Sequence, residues 1–206
     1  MNVTEFKKQP ILGIVRGIEP GQVEPLIEAV IESGLRTLEI TMNTPGAAGL
    51  IRKAKKVAQN RLSLGAGTVL DMQSLQAALD AGATFIVMPV LVKEVVAYCV
   101  KNQFPVFPGA LTAQEIYAAW KEGATMVKVF PAKFFGPEYF REIKAPLEKI
   151  ELLACAGVTP ENMRDYFACG ASAVSFGASV FRKEWLQQGD FSKITAAIKA
   201  FLEQLP

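Results

Sequence analysis

The sequence predicts one (β/α)₈ barrel spanning residues 1–206, and three observations carry that prediction. A helix-end, glycine, strand pattern recurs four times, at Glu32 to Thr41, Asp80 to Pro89, Lys121 to Phe130 and Ala168 to Gly177. Its glycines, Gly34, Gly82, Gly123 and Gly170, lie 48, 41 and 47 residues apart. Each sits where a helix must end in a left-handed residue, and each precedes a short apolar run. Four further strands fall between the recurrences, at Ile11 to Arg16, Leu62 to Thr68, Val106 to Gly109 and Leu152 to Gly157, which makes eight. Helical patterns separate them, and the strands are apolar on both faces, as strands covered by helices on one side and by a barrel interior on the other must be.

In chain order, a short helix near Thr4 to Lys8 precedes the first strand. Apolar residues at helical spacing then predict helices over Gly21–Glu32, Pro45–Gln59, Met72–Asp80 and Val92–Asn102. The second half of the chain repeats the signal at Ala113–Glu122, Pro137–Ala145, Pro160–Ala168 and Ser192–Gln204. Asp71, Thr112 and the pair Thr159-Pro160 supply start signals, a side-chain acceptor or a first-turn proline. No linker, low-complexity tract or shift of composition marks a second domain. An open doubly wound sheet would need neither eight units nor this regularity.

Composition narrows the function. The net charge is +2 without a block of like charge, so neither nucleic acid nor a membrane surface is an expected partner. Met1 to Gln9 lack the apolar core of a signal peptide and no apolar run is long enough to span a bilayer, so the expected location is cytoplasmic. Three cysteines, Cys99, Cys155 and Cys169, show no metal-type spacing and read as reduced thiols. There is no histidine, which excludes Ser-His-Asp and Cys-His chemistry and leaves proton transfer to Glu, Asp, Lys, Tyr or the substrate.

A lysine interrupts the apolar run Met126-Val127-Lys128-Val129-Phe130-Pro131-Ala132. A cation there costs several kcal/mol unless it is paired, neutralised or used. It either snorkels past the strand end, pairs with a carboxylate, or serves as a desolvated amine that forms Schiff bases with carbonyl compounds. Barrel active sites lie at the C-terminal ends of the strands, and that rim gathers Arg16 from strand one, Glu39 and Asn43 from strand two and Thr68 from a Gly-Ala-Gly-Thr turn. Pro89 ends strand four, while Ala156 and Gly157 close strand seven and Gly177, Ala178 and Ser179 close strand eight. Lys128 as nucleophile and Glu39 as proton carrier suit carbonyl chemistry through an iminium. The plainer role for Glu39, as the lysine's ion-pair partner, is compatible with that. Arg16 is placed to hold a carboxylate by its fork, and the turns after strands seven and eight occupy the usual phosphate position of this fold.

These residues resemble the 2-keto-3-deoxy-6-phosphogluconate (KDPG) and 4-hydroxy-2-oxoglutarate (KHG) aldolases over nearly the whole chain, from Ile11 to about Phe181. The pieces that carry the likeness are Leu38 to Thr41, Gly65 to Leu70, Pro108-Gly109 followed by Thr112, and Lys128 to Ala132, in that order and spacing. The resemblance implies a class I, metal-free aldolase with no cofactor beyond the covalent Schiff base. Lys128 would form the imine, Glu39 would be the acid/base, and Arg16, Asn43, Thr68 and Pro89 would bind the pyruvate part. Gly157 and Gly177 to Ser179 would hold the phosphate. The partners would be a phosphorylated keto-deoxy sugar acid and pyruvate, and the assembly a homotrimer.

Three departures from the family pattern stand out. Asn43 replaces the arginine that binds pyruvate's carboxylate in many members, and the combination of Arg16, Asn43 to Pro45 and Phe135 to Pro137 resembles the phosphogalactonate branch. Cys155-Ala156-Gly157 replaces the usual Thr-Gly-Gly, and Ala178 a glycine. Competing readings are a KHG-type aldolase acting without phosphate and a barrel that binds a sugar phosphate without turnover.

Overall fold

The computed structural model describes residues 1–206. It begins with α1 (Val3–Lys8), whose N-terminus is capped by the Asn2 side chain accepting from the Thr4 and Glu5 amides. Strand and helix then alternate: β1 (Ile11–Val15), α2 (Val23–Glu32), β2 (Thr37–Thr41), α3 (Ala47–Ala58), β3 (Ser63–Gly67), α4 (Met72–Asp80), β4 (Ile86–Val87) and α5 (Lys93–Lys101). The second half runs β5 (Val106–Phe107), β6 (Gly109–Ala110), α6 (Ala113–Lys121), β7 (Val127–Val129), α7 (Gly136–Lys144), β8 (Leu152–Cys155), α8 (Met163–Ala168), β9 (Ala173–Phe176), α9 (Lys183–Gln188) and α10 (Phe191–Leu202). The strands form one parallel sheet in the order β5-β4-β3-β2-β1-β9-β8-β7-β6. Its two ends are halves of one stave, for only Pro108 separates β5 from β6. Eight staves therefore close the ring, as predicted.

The closure has a definite geometry. β5 pairs with β4 (Ile86↔Val106, Val87↔Phe107) and β6 pairs with β7 (Gly109↔Lys128, Ala110↔Val129). Pro108 has no amide to donate, yet its carbonyl accepts from the Lys128 amide at 2.9 Å. A side chain at Gly109 would place its Cβ 2.1 Å from the Pro89 carbonyl oxygen, so only glycine lets the neighbouring stave approach this closely.

The four repeat glycines take the left-handed conformation that the pattern calls for, with φ between 90° and 96°. Helix boundaries differ from expectation by a residue or two, except in three places. Residues Pro20–Gln22 form a 3₁₀ turn ahead of α2. The helix expected from Pro160 starts only at Met163, because Asn162 accepts from the Thr159 amide (2.8 Å) and donates to the Gly157 carbonyl (2.9 Å), holding this stretch in a turn. The short helix α9 was not expected, since six residues give too little periodicity to register. Asp71 and Thr112 do cap their helices, each in a reciprocal capping box.

Two apolar layers result. The larger lies between strands and helices; the smaller fills the base of the barrel with Leu12, Phe85, Val87, Phe107, Met126, Leu153 and Ala173, and α1 inserts Phe6 beneath it. Phe6 and Phe85 both meet Phe107 edge-on, at 5.9 and 6.0 Å between centroids. No helix is long and apolar enough to cross a membrane.

Candidate active site

Side chains two residues apart on a strand share a face, so the inward row of the base continues upward to a second layer. Above Met126 comes Lys128, above Leu12 comes Ile14, above Leu153 comes Cys155, and above Ala173 comes Ser175. β2 contributes Glu39. This upper layer and the loops over it surround a cavity of about 390 Å³. The volume suits a small metabolite.

Lys128 is 6 % exposed and belongs to none of the six ion pairs in the protein. Its ammonium lies 5.3 Å from the centroid of the Phe130 ring. Glu39 is 1 % exposed, likewise outside every ion pair, and its Oε2 has no hydrogen-bond partner. Burial pushes the Glu39 carboxyl up to about 7, against the opposing pull of Lys128 and then Arg16. The simple ion-pair role for Glu39 is thereby set aside: no lysine nitrogen reaches it within salt-bridge distance. Space for the carboxylate comes from Gly67, where a Cβ would stand 2.1 Å from the Glu39 Oε1. Gly65, one pleat lower, is kept small by the Phe85 ring, 2.3 Å from a hypothetical Cβ.

Arg16 leaves the end of β1 and lines the cavity. The turn behind it is pinned by Thr44, whose hydroxyl accepts from the Gly17 amide (3.0 Å) and meets the Thr41 hydroxyl (3.1 Å). Thr68, Pro89, Ala156, Gly157, Gly177, Ala178 and Ser179 also line the cavity, so ten of the eleven residues expected at the rim converge there. Asn43 does not. The chain turns after Thr41, the Thr44 amide donating to the Thr41 carbonyl, and this aims Asn43 at solvent while Thr44 is buried.

Two non-glycine residues of this rim hold left-handed backbones, Thr68 at φ 57° and Ala156 at φ 73°. Ala156 thus keeps the conformation a glycine would take, at a cost of about 1–2 kcal/mol. Gly157, at φ 89°, lies against Lys133, whose Cβ would be 2.4 Å from any Cβ placed there.

Ser175, Lys133 and Thr159 line the cavity without having been expected. Ser175, buried and donating to the Ala154 carbonyl (3.1 Å), was recoverable by counting back two residues from Gly177. Lys133 follows β7 in a 3₁₀ turn (Ala132–Phe134), where no periodicity reveals its direction. No group of three or more His, Cys, Asp or Glu side chains is gathered for a metal ion anywhere in the chain.

Fold and site together define a class: parallel barrels with a buried amine and a proton-retaining carboxyl sharing the cavity at the C-terminal ends of the strands. Comparison with known proteins specifies which. The family model for KDPG and KHG aldolase matches residues 3–197. The chain is 32 % identical over 197 residues to the 2-dehydro-3-deoxy-6-phosphogalactonate aldolase of Escherichia coli, covering 95 % of this chain and 96 % of that one. It is 30 % identical over 202 residues to the 2-dehydro-3-deoxy-phosphogluconate aldolase of Pseudomonas aeruginosa, covering 98 % and 91 %. A solved structure of native KDPGal aligns with a TM-score of 0.88 at 31 % identity, over 95 % of this chain and 93 % of that one. The chain belongs to the KDPG and KHG aldolase family, a family of carbon–carbon lyases.

Proposed function

We propose that this protein is a class I aldolase that cleaves a 2-keto-3-deoxy-6-phospho sugar acid, of the phosphogluconate or phosphogalactonate type, to pyruvate and glyceraldehyde 3-phosphate. The observation that carries the reading is a lysine and a carboxyl sequestered in one cavity, neither in an ion pair, with the carboxyl held near neutrality. Such a carboxyl can both take and give a proton at physiological pH.

In this reading the Lys128 amine attacks the C2 ketone, and Glu39 delivers the proton that lets the carbinolamine lose water. The resulting iminium draws electrons from the C3–C4 bond while Glu39 removes the C4 hydroxyl proton, which releases the aldehyde and leaves an enamine. Protonation at C3 and hydrolysis of the imine return pyruvate and the free lysine. Arg16 fixes the substrate carboxylate, and Thr68 and Pro89 bound the pyruvate part. The phosphate rests on the turns at Ala156–Gly157 and Gly177–Ser179, where backbone amides donate to it. A homotrimer in the cytoplasm belongs to the same reading, and sedimentation velocity measures the assembly.

The test is intact-protein mass spectrometry after incubation with pyruvate and sodium borohydride. A stable pyruvate adduct mapping to Lys128 and absent from Lys128→Ala supports the reading, and no adduct in the wild type overturns it. Comparing kcat/KM for the phosphorylated acids with that for 4-hydroxy-2-oxoglutarate then decides between the phosphate-dependent reaction and the KHG type.

A further inference from the structure

We infer that Lys133 is the side-chain cation of the phosphate end of the cavity and sets the preference for phosphorylated over unphosphorylated substrates; this rests on the aldolase reading above. Three basic side chains, Arg16, Lys128 and Lys133, line the cavity against the single carboxyl of Glu39. The cavity is thus formally +2 with Glu39 ionised and +3 with it protonated, an excess beyond what one carboxylate balances. The excess matches a ligand that carries a phosphate dianion besides its carboxylate, one negative charge more than the dicarboxylate 4-hydroxy-2-oxoglutarate.

The three cations occupy different parts of the rim. Arg16 stands at the end of β1 and Lys128 within β7, where the imine would form. Lys133 begins beyond β7 and packs its Cα and Cβ directly against Gly157. It therefore rises beside the turn whose amides are assigned to the phosphate. Its placement depends on the absence of a side chain at residue 157, since a Cβ there would lie 3.0 Å from the Lys133 Cα and closer still to its Cβ.

Lys133 is also uncommitted. It enters none of the ion pairs, and its ammonium lies 5.1 Å from the centroid of the exposed Phe134 ring. A cation resting on an exposed aromatic face is held weakly, by about 0.5–1 kcal/mol. A dianion seated on the Gly157 turn offers it a charge-assisted hydrogen bond of greater strength. A flexible point cation of this kind suits a terminal phosphate, whereas the Arg16 fork suits a carboxylate.

The experiment compares wild type, Lys133→Gln and Lys133→Arg with a phosphorylated 2-keto-3-deoxy sugar acid and with 4-hydroxy-2-oxoglutarate. Binding of glycerol 3-phosphate by titration calorimetry is measured alongside and requires no turnover. In Lys133→Gln the ratio of the two kcat/KM values should fall on the order of 10- to 100-fold, chiefly through KM of the phosphorylated substrate, with glycerol 3-phosphate weakened to match and Lys133→Arg recovering most of both. A ratio and a glycerol 3-phosphate affinity that stay at the wild-type values, or an equal loss on both substrates, would overturn the inference. Failure of the parent reading shows itself separately, as a wild type that forms no borohydride-trapped pyruvate adduct.

Discussion

Met126 and Lys128 share the inward row of one strand, yet one is sealed into an aromatic-lined plug and the other borders a cavity. The same contrast runs round the barrel, from Leu12, Leu153 and Ala173 below to Ile14, Cys155 and Ser175 above. Below, apolar side chains and edge-on aromatic contacts fill the space. Above, Gly67 makes room for the Glu39 carboxyl, a cavity stays open, and two buried ionisable groups, Glu39 and Lys128, go without ion-pair partners. One turn of the pleat, two residues, separates what holds the barrel together from what acts on a substrate. The difference teaches that stability and chemistry respond to opposite substitutions at neighbouring positions on the same strands.

The largest expected effect contrasts the two layers on that strand. Lys128→Met should lower kcat by at least ~10⁴-fold and abolish borohydride trapping, while raising the denaturant midpoint because a buried, unpaired cation is removed. Met126→Ala should do the reverse, costing about 2–5 kcal/mol in urea unfolding with kcat of the folded fraction little altered. A loss of stability in Lys128→Met would break the comparison.

Next in size is Glu39→Gln, for which kcat should fall ~10²- to 10⁴-fold. Its pH dependence sharpens the point. The folded-state pKa of about 7 exceeds the ordinary 4.5, so the folded protein holds this proton more tightly than the unfolded chain. The stability it contributes is complete below 4.5 and is lost as pH rises from there through about 7, amounting to about 3 kcal/mol. Urea midpoints measured from pH 5 to 9 should decline through that window in the wild type and lack this decline in Glu39→Gln, which should be the more stable protein at pH 8.

Gly67→Ala tests the space itself. The added methyl collides with the Glu39 carboxylate, so activity should drop about 10- to 100-fold with a stability loss of only about 1–3 kcal/mol. The smallest effect belongs to Ala156→Gly, which relieves a left-handed alanine and should raise stability by about 0.5–1 kcal/mol, read as a rise of a few degrees at most in the thermal midpoint.

The sequence made the barrel and most of its rim legible because both follow from period-two strands and left-handed glycines. Gly34, Gly82, Gly123 and Gly170 marked the strand starts, a charge inside an apolar run marked Lys128, and the strands' C-terminal halves then brought Arg16, Glu39 and Thr68 to the same rim. Asn43 and Lys133 were misjudged or missed for one reason: both lie beyond the last paired residue, where a turn decides direction and no periodic signal survives. The late start of α8 is a similar case, since Asn162 diverts two local hydrogen bonds that a sequence pattern counts toward a helix. The lack of an ion pair at Glu39 was not legible at all, because it depends on the depth at which two strands set their charges.

The split stave has a consequence for how the ring opens. The ladder is thin along this whole arc: one registered pair joins β3 to β4, and two lie on either side of Pro108, toward β4 and toward β7. Native-state hydrogen exchange should therefore find its earliest-exchanging strand amides along the arc from β4 to β7 and its latest in β2, which shares three registered pairs with β1 and five with β3. Since Lys128 donates its own amide to Pro108, the residue proposed to make and break bonds with substrate also stands at one margin of the arc along which the barrel would come unzipped.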